Sequence, residues 1–411
     1  MLDGIDPDYD LTTPLDTDYL GVLDSVPEDA KHWRAQAREF TTGLDERMAQ
    51  HWEKGEYPVD LIPELGSRGL LTDGVDVDGL DEPNLSTLSP HAAAMVNMEL
   101  SRLDGSVGTM LGVQGGLALR TLGYFGSAEQ KSEHLADLAT GRTLGAFALT
   151  EPTHGSDSVS LETTAALIGD DESGYYVLNG AKKWIGNGAS GGLTFTWARI
   201  AGGEHDGTVR CFVVDQRTKG YSARAITGKT SLRAIDQALI SYDDVELPTS
   251  AVLPGSTSFA SASAVLYATR LGVAWSAVGH AQAIVDAALN YVRQREQFSR
   301  KIGGFQLVQE RLAWMVSELT AMQMYALRAT DLDTAGELTG PQASLAKYNN
   351  TRKARAIAQV GRDMLGGNGI LLSNKVARHM ADIEAAHTYE GTESVQSLII
   401  GRDLTGFSAF A

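Results

Sequence analysis

The chain changes its hydrophobic periodicity twice, and no other feature constrains its fold as tightly. From His32 to about Arg142 the pattern is helical. "AAAMVNMEL" and "LGVQGGLALRTLGYFG" repeat apolar residues at three- and four-residue steps, and their glycines let helices approach closely. After Thr143 the texture turns β-rich. "LTFTWARI", "VRCFVVDQ" and "ALISYDDVELP" read as strands with short polar connections, and in "YYVLNGAKKWIGNG" the Asn179–Gly180 pair predicts a hairpin turn between two strands. Pro248 and Pro254 close this block, and from about Ser256 the helical period returns. Leu312, Met315, Leu319, Met322 and Ala326 form one continuous apolar face. "TGPQASLAKYNNTRKARAIAQVGRDMLGG" predicts a long helix that starts near Pro341 and stops at Gly366–Gly367.

The expected class is therefore α+β: an acidic extension over 1–30, a helical domain over 31–143, a central β-domain over 144–256 and a helical domain over 257–411. A length of 411 residues suits two or three domains with a large core. Residues 1–30 carry nine acidic side chains, no Lys or Arg, and Pro7, Pro14 and Pro27, which fits a solvated or surface-wrapping extension. The formal charge of −18 argues against nucleic-acid partners and anionic membranes, because phosphate contacts need clustered Lys and Arg. The only cysteine is Cys211, expected as core filler, so a reducing compartment fits. No apolar run reaches the roughly 18 residues of a membrane span. Nor does a basic stretch lead into an apolar one at the N-terminus. The expected setting is cytoplasmic, without membrane insertion.

Taken singly, the candidate motifs stay ambiguous. "FALTEPTHGSDS" runs from a strand into a Pro/Gly/Ser loop that could offer N–H groups and hydroxyls to a ligand, or be an ordinary turn. "GGNG" could cradle a phosphate or simply cap a helix. "RQREQF" could bind pyrophosphate or be a solvated charge run. In "HTYEGTESVQ", Glu390 lies between an aromatic and a Gly–Thr pair, either as a helix-end charge or as a positioned base. No metal site is expected, because the nine histidines lack ligand spacing and only one Cys exists. No nucleophile-elbow or P-loop pattern occurs.

In combination, "LTEPTHGSD", "KKWIGNG", "RQREQFSRKIGGFQ", "RDMLGGNGI" and "TYEGT" closely resemble the acyl-CoA dehydrogenase family of flavoproteins, in the family's order and spacing. The resemblance runs from about residue 60 to the C-terminus and looks closest to the glutaryl-CoA dehydrogenase and plant short-chain acyl-CoA oxidase branch. It implies a helical N-terminal domain, a central β-barrel-like domain and a C-terminal four-helix bundle. It also implies FAD as cofactor, an acyl-CoA substrate, electron-transferring flavoprotein as acceptor and a homotetramer with sites shared between subunits. Phe147, Leu149, Thr150, Gly155, Ser156, Trp184, Ile185, Gly186 and Thr392 would then contact FAD. Arg295, Phe298 and Gln306 would reach the FAD of a neighbouring subunit, with Gly366 and Gly367 lining its ADP part, and Asp363 would also bind the cofactor. Ser156, Thr109, Tyr267, Arg270, Tyr389 and Gly391 would line the substrate.

The family reaction removes the α-proton of a short- or medium-chain acyl-CoA and passes the β-hydrogen to the flavin as hydride. Glu390 is the implied base, since enclosure beside Tyr389 would desolvate its charge and raise its pKa. Some family members place the base on the first C-terminal helix, but "STSFASASAVLYATR" has no Asp or Glu. Glu393 reads as a solvated or structural charge. Two departures stand out. The arginine and glutamate of the glutaryl-specific branch are replaced by Gly108 and Ser101, which speaks against a dicarboxyl substrate. Gly186 stands where dehydrogenases carry Thr or Ser, which could open room for O2 and make the protein an oxidase. A non-catalytic flavoprotein on the same fold is the remaining alternative.

Overall fold

The computed structural model describes residues 9–170 and 174–409. Asp3, Asp6, Pro7 and Asp8 of the acidic extension lie outside the described residues. The rest of that extension wraps the surface. Asn290 Nδ2 donates to the Thr13 carbonyl at 2.8 Å, Thr17 Oγ1 donates to Asp286 at 2.8 Å, and Asp16 pairs with Arg38 at 2.6 Å. Leu11, Leu23 and Val26 of the extension are themselves buried against the main core.

The first helical part comprises α1 (Glu28–Thr41), α2 (Asp45–Lys54), α3 (Leu61–Ser67), α4 (Pro90–Leu103), α5 (Gly105–Leu111), α6 (Arg120–Phe125) and α7 (Ala128–Ala139). Helix starts carry their own caps. Ser89 accepts from the Ala92 N–H with Pro90 in the first turn, Asp104 accepts from Ser106, and Ser127 with Gln130 closes a capping box before α7. A π-helical stretch, Gly112–Leu119, joins α5 to α6. Helix α4 is buried nearly all round. Its Glu99 has three guanidinium partners, Arg34, Arg38 and Arg102.

The central sheet has seven strands: β1 (Gly145–Ala148), β2 (Thr164–Ile168), β3 (Tyr175–Gly186), β4 (Leu193–Ala201), β5 (Val209–Asp215), β6 (Tyr221–Ala225) and β7 (Gln237–Pro248). Their order is β1-β4-β2-β3-β7-β6, with β5 on β4; β4 runs parallel to β1 and β2, and the other pairs are antiparallel. Cys211 on β5 is fully buried in this layer's core. The hairpin expected at Asn179–Gly180 does not form, because β3 runs straight through it as one strand. The pair instead makes a register shift against β7, with the Asn179 amide donating to Asp244 at 2.9 Å and accepting from the Asp244 N–H at 2.9 Å. Gly180 is required by packing: a Cβ there would lie 2.6 Å from Thr163 Oγ1.

The second helical part contains α8 (Phe259–Gln294), a two-residue ladder of β8 (Glu296–Gln297) and β9 (Arg300–Lys301), then α9 (Gln306–Thr334), α10 (Gly340–Met364), α11 (Val376–Thr388) and α12 (Glu393–Thr405). The expected apolar face of α9 is buried at Met315, Leu319, Met322 and Ala326, with Leu312 at its edge. One core joins this bundle to α1 and α4, so α8 is packed from both sides. Among the described residues no helix is long and apolar enough to cross a membrane.

Candidate active site

Glu390 sits in the break between α11 and α12, where the backbone turns twice into the left-handed region: φ is 52° at Glu390 and 88° at Gly391. A non-glycine residue there is strained and persists only when its surroundings hold it. Here they do. The buried Lys347 ammonium on α10 donates to the Tyr389 carbonyl and, at 2.6 Å, to the Gly391 carbonyl. Gln396 Nε2 donates to the Glu390 and Gly391 carbonyls, each at 3.1 Å, and Thr392 caps α12 by accepting from the Val395 N–H. Among the described residues no protein acceptor takes the Glu390 N–H.

The Glu390 side chain turns back toward α8, where Thr269 Oγ1 donates to its Oε2 at 2.8 Å. Burial raises its pKa above the ordinary carboxylate value. Lys347, the Thr269 hydroxyl and Arg270 oppose that shift, and the nearby Asp73 carboxylate adds to it. Lys347 is pushed down from the ordinary lysine range, chiefly by its own burial. Arg270 donates to Ser344 Oγ at 3.0 Å, while its Nε has no partner.

The carboxylate opens into a cavity of about 120 Å³ between the sheet, the α5–α6 segment and α8. Phe147, Trp184, Gly186, Thr109, Tyr389 and Glu390, all singled out from sequence, line it together. Trp184 is aimed there by a defect in β3. The register against β7 slips between Lys183 and Ile185, Trp184 takes φ 65°, and its indole is left 52% exposed with the Lys183 ammonium 5.1 Å from the ring centre. Gly186 does not leave an open space, because a Cβ there would lie 2.6 Å from Val113 Cγ2. A Cβ on Gly108 would likewise meet Ser101 Oγ at 2.1 Å, so position 108 has no room for a long side chain. No Lys or Arg lines the cavity among the described residues.

The other expected residues fall in three places. Leu149 and Ile185 are buried behind the cavity wall, the Thr150 carbonyl accepts from Lys183, and Gly155 and Ser156 lie on an exposed loop. That loop is anchored by Glu151, which accepts from Lys182 at 2.9 Å and from the Glu162 and Thr163 N–H groups. His154 and Glu162 come close enough to Glu151 to suggest a metal cluster, but Glu151 already has these three donors. Tyr267 donates to the Leu338 carbonyl and does not line the cavity. Arg295, Phe298, Gln306, Asp363, Gly366 and Gly367 are also outside it. Arg295 bonds Tyr9, Asp363 pairs with Arg311, Phe298 is 88% exposed, and a Cβ on Gly366 or Gly367 would meet nothing.

Sequence reading missed Thr269, Lys347, Asp73 and Gln237. Lys347 carried a signal, a single Lys inside the apolar run "ASLAK" of a helix. Thr269 is masked by its neighbour Arg270, and Asp73 sits in a loop without pattern.

Three family models match the chain: the N-terminal domain of acyl-CoA dehydrogenase over 27–142, the middle domain over 146–245 and the C-terminal domain over 259–405. An acyl-CoA dehydrogenase of Bacillus subtilis (strain 168) is 32% identical over 383 residues, 93% of this chain and 99% of that protein. The mitochondrial short-chain specific acyl-CoA dehydrogenase of Bos taurus is 30% identical over 382 residues, 92% of this chain and 90% of that protein. The crystal structure of glutaryl-CoA dehydrogenase from Mycobacterium smegmatis superposes with a TM-score of 0.90 at 38% identity, covering 96% of this chain and 99% of that one. A second glutaryl-CoA dehydrogenase structure from that organism, in complex with FADH2, gives a TM-score of 0.89 at 33% identity, covering 95% and 99%.

Proposed function

The chain belongs to the acyl-CoA dehydrogenase family of flavin-dependent oxidoreductases, and we propose that it dehydrogenates a short- or medium-chain acyl-CoA to the trans-2-enoyl-CoA with Glu390 as the α-proton base. The observation that carries this reading is the Glu390 carboxylate itself. It is desolvated, held by one hydroxyl at 2.8 Å, and faces a cavity that also holds the half-exposed indole of Trp184. Desolvation makes the carboxylate a stronger base than one in water, which α-proton removal requires.

FAD is the cofactor in this reading, and when bound it supplies the acceptor for the β-hydrogen as hydride. The residues present fit it: Trp184, Phe147 and Gly186 give one wall a flat apolar face, with the Thr150 backbone beside β3. Lys347 and Gln396 fix the carbonyls on both sides of the base, which leaves the Glu390 N–H available to a thioester oxygen. Arg295, Phe298, Gln306, Asp363, Gly366 and Gly367 lie away from their own chain's cavity, which supports a site completed by a second copy and a homotetrameric assembly. Electron-transferring flavoprotein is the proposed acceptor and the cytoplasm the proposed setting. Val113 occupies the space beside Gly186, which speaks against the opening for O2 that the oxidase reading needs. The filled Gly108 position and the absence of a lining cation speak against a dicarboxyl substrate.

The test is Glu390→Gln in the FAD-loaded protein. Flavin content and acyl-CoA binding are expected to persist while reduction of an artificial acceptor falls about 10²–10⁴-fold. Turnover near that of the unmodified protein would remove Glu390 from its role. Stoichiometric peroxide in place of acceptor reduction would move the assignment to an oxidase.

A further inference from the structure

The cavity contains a second carboxylate that proton abstraction does not use. Asp73, in the loop between α3 and α4, lines the same wall, with its side chain 12% exposed. It is held from behind. Arg120 Nη2 donates to Asp73 Oδ2 at 3.1 Å and to the Asp73 carbonyl, while Arg120 Nε donates to the Gly116 carbonyl at 3.1 Å. The π-helical stretch brings this wall in tightly: a Cβ on Gly116 would sit 3.0 Å from Asp73 Oδ2 and 3.3 Å from Thr269, and one on Gly115 would sit 1.9 Å from the Leu71 carbonyl. Asp73 therefore cannot retreat, and among the described residues its Oδ1 has no donor.

Three neighbouring polar groups of the cavity are already engaged. Thr109 Oγ1 donates to the Gly105 carbonyl at 2.8 Å, Thr269 donates to Glu390, and Gln237 Oε1 accepts from Lys229 at 2.7 Å. Among the described residues, Asp73 Oδ1 and Glu390 Oε1 are the cavity's carboxylate oxygens without a protein donor, and Glu390 is committed to the α-proton. The Asp73 oxygen is open to the cavity, and an acyl chain that displaces water from it without supplying a donor leaves it unsatisfied, which is unfavourable.

We infer that Asp73 is a specificity-determining residue that selects acyl-CoA substrates bearing a hydroxyl on the acyl chain and rejects those ending in a carboxylate. The inference rests on the acyl-CoA reading of the cavity. A hydroxyl donates to Asp73 without adding charge, which suits a carboxylate that Arg120 already balances. A carboxylate on the acyl chain would face Asp73 and Glu390 with no lining cation. A pocket built around a substrate hydroxyl rejects analogues lacking it strongly, whereas an apolar pocket tolerates both.

The experiment measures equilibrium binding to FAD-loaded protein carrying Glu390→Gln, so that ligands are not consumed. Butyryl-, pentanoyl- and hexanoyl-CoA are compared with their ω-hydroxy and ω-carboxy counterparts. For at least one chain length the hydroxy ligand is expected to bind about tenfold or more tighter than the alkyl one, with the carboxy ligand weakest. Adding Asp73→Leu should abolish the hydroxyl preference. Adding Asp73→Asn, which keeps an acceptor and the fold around Arg120, should retain that preference and strengthen binding of the carboxy ligand. Equal binding of alkyl and hydroxy ligands at every chain length, or a carboxy affinity unmoved by Asp73→Asn, overturns the role of Asp73 alone. If none of the ligands binds, the acyl-CoA reading falls and this inference with it.

Discussion

At Glu390 two demands meet: a base must be desolvated, yet its charge must be supplied with enough partners to exist. Thr269, Lys347 and Arg270 lower the carboxyl pKa while burial and Asp73 raise it, and the net direction is upward. Activity should therefore rise with pH as Glu390 loses its proton, at a pH above that of an ordinary carboxylate. Lys347→Met removes the largest opposing charge, so the acid limb of the kcat/KM profile should move further toward alkaline pH. Thr269→Val should move it the same way, with the Glu390 backbone left in place. A profile unmoved in both variants would detach the titrating group from Glu390. Lys347→Met also strands the Tyr389 carbonyl, at a cost of about 1–3 kcal/mol if water does not replace the donor, whereas the Gly391 carbonyl keeps Gln396.

Strand β3 sets the scale of elements. Two slips in its ladder against β7, at Asn179 and at Trp184, keep one strand continuous while turning the indole into the cavity. Local turn chemistry at Asn179–Gly180 pointed to a hairpin. It loses because β2 and β7 pair with β3 on its two sides, and the Asn179 amide satisfies Asp244 across the sheet. Gly186, two residues beyond Trp184, is needed for contact with Val113 on the π-helical stretch. Gly186→Ser should destabilise the protein by about 1–3 kcal/mol through overpacking, read as a lower denaturant midpoint. Val113→Ala in the same chain should recover much of that loss. Recovery absent from the double variant would mean that another contact makes Gly186 necessary.

On the scale of the whole molecule, a buried ionic group ties the N-terminal helices to the bundle. Burial by itself would raise the Glu99 carboxyl, but Arg102, Arg38 and Arg34 hold it down at about 2. Asp16 of the wrapping extension pairs with Arg34 and Arg38, and Asp286 on α8 pairs with Arg102 at 3.5 Å. A carboxyl whose folded pKa is depressed stabilises the fold above its unfolded value, near 4.5, and that stability is lost as pH falls toward about 2. Glu99→Gln should therefore lower stability at neutral pH by about 3–5 kcal/mol and flatten its decline below pH 4.5. An unchanged pH dependence would show that the group is not what acid disrupts. Local pattern alone determined the helix–sheet–helix order, the apolar face of α9 and a carboxylate between Tyr389 and Gly391, because periodicity and neighbouring residue types act within a few positions. Tertiary structure decided what surrounds that carboxylate. Asp73, Thr269, Lys347 and Glu390 come from four distant segments, and desolvation, charge balance and carbonyl capture exist only once those segments pack together.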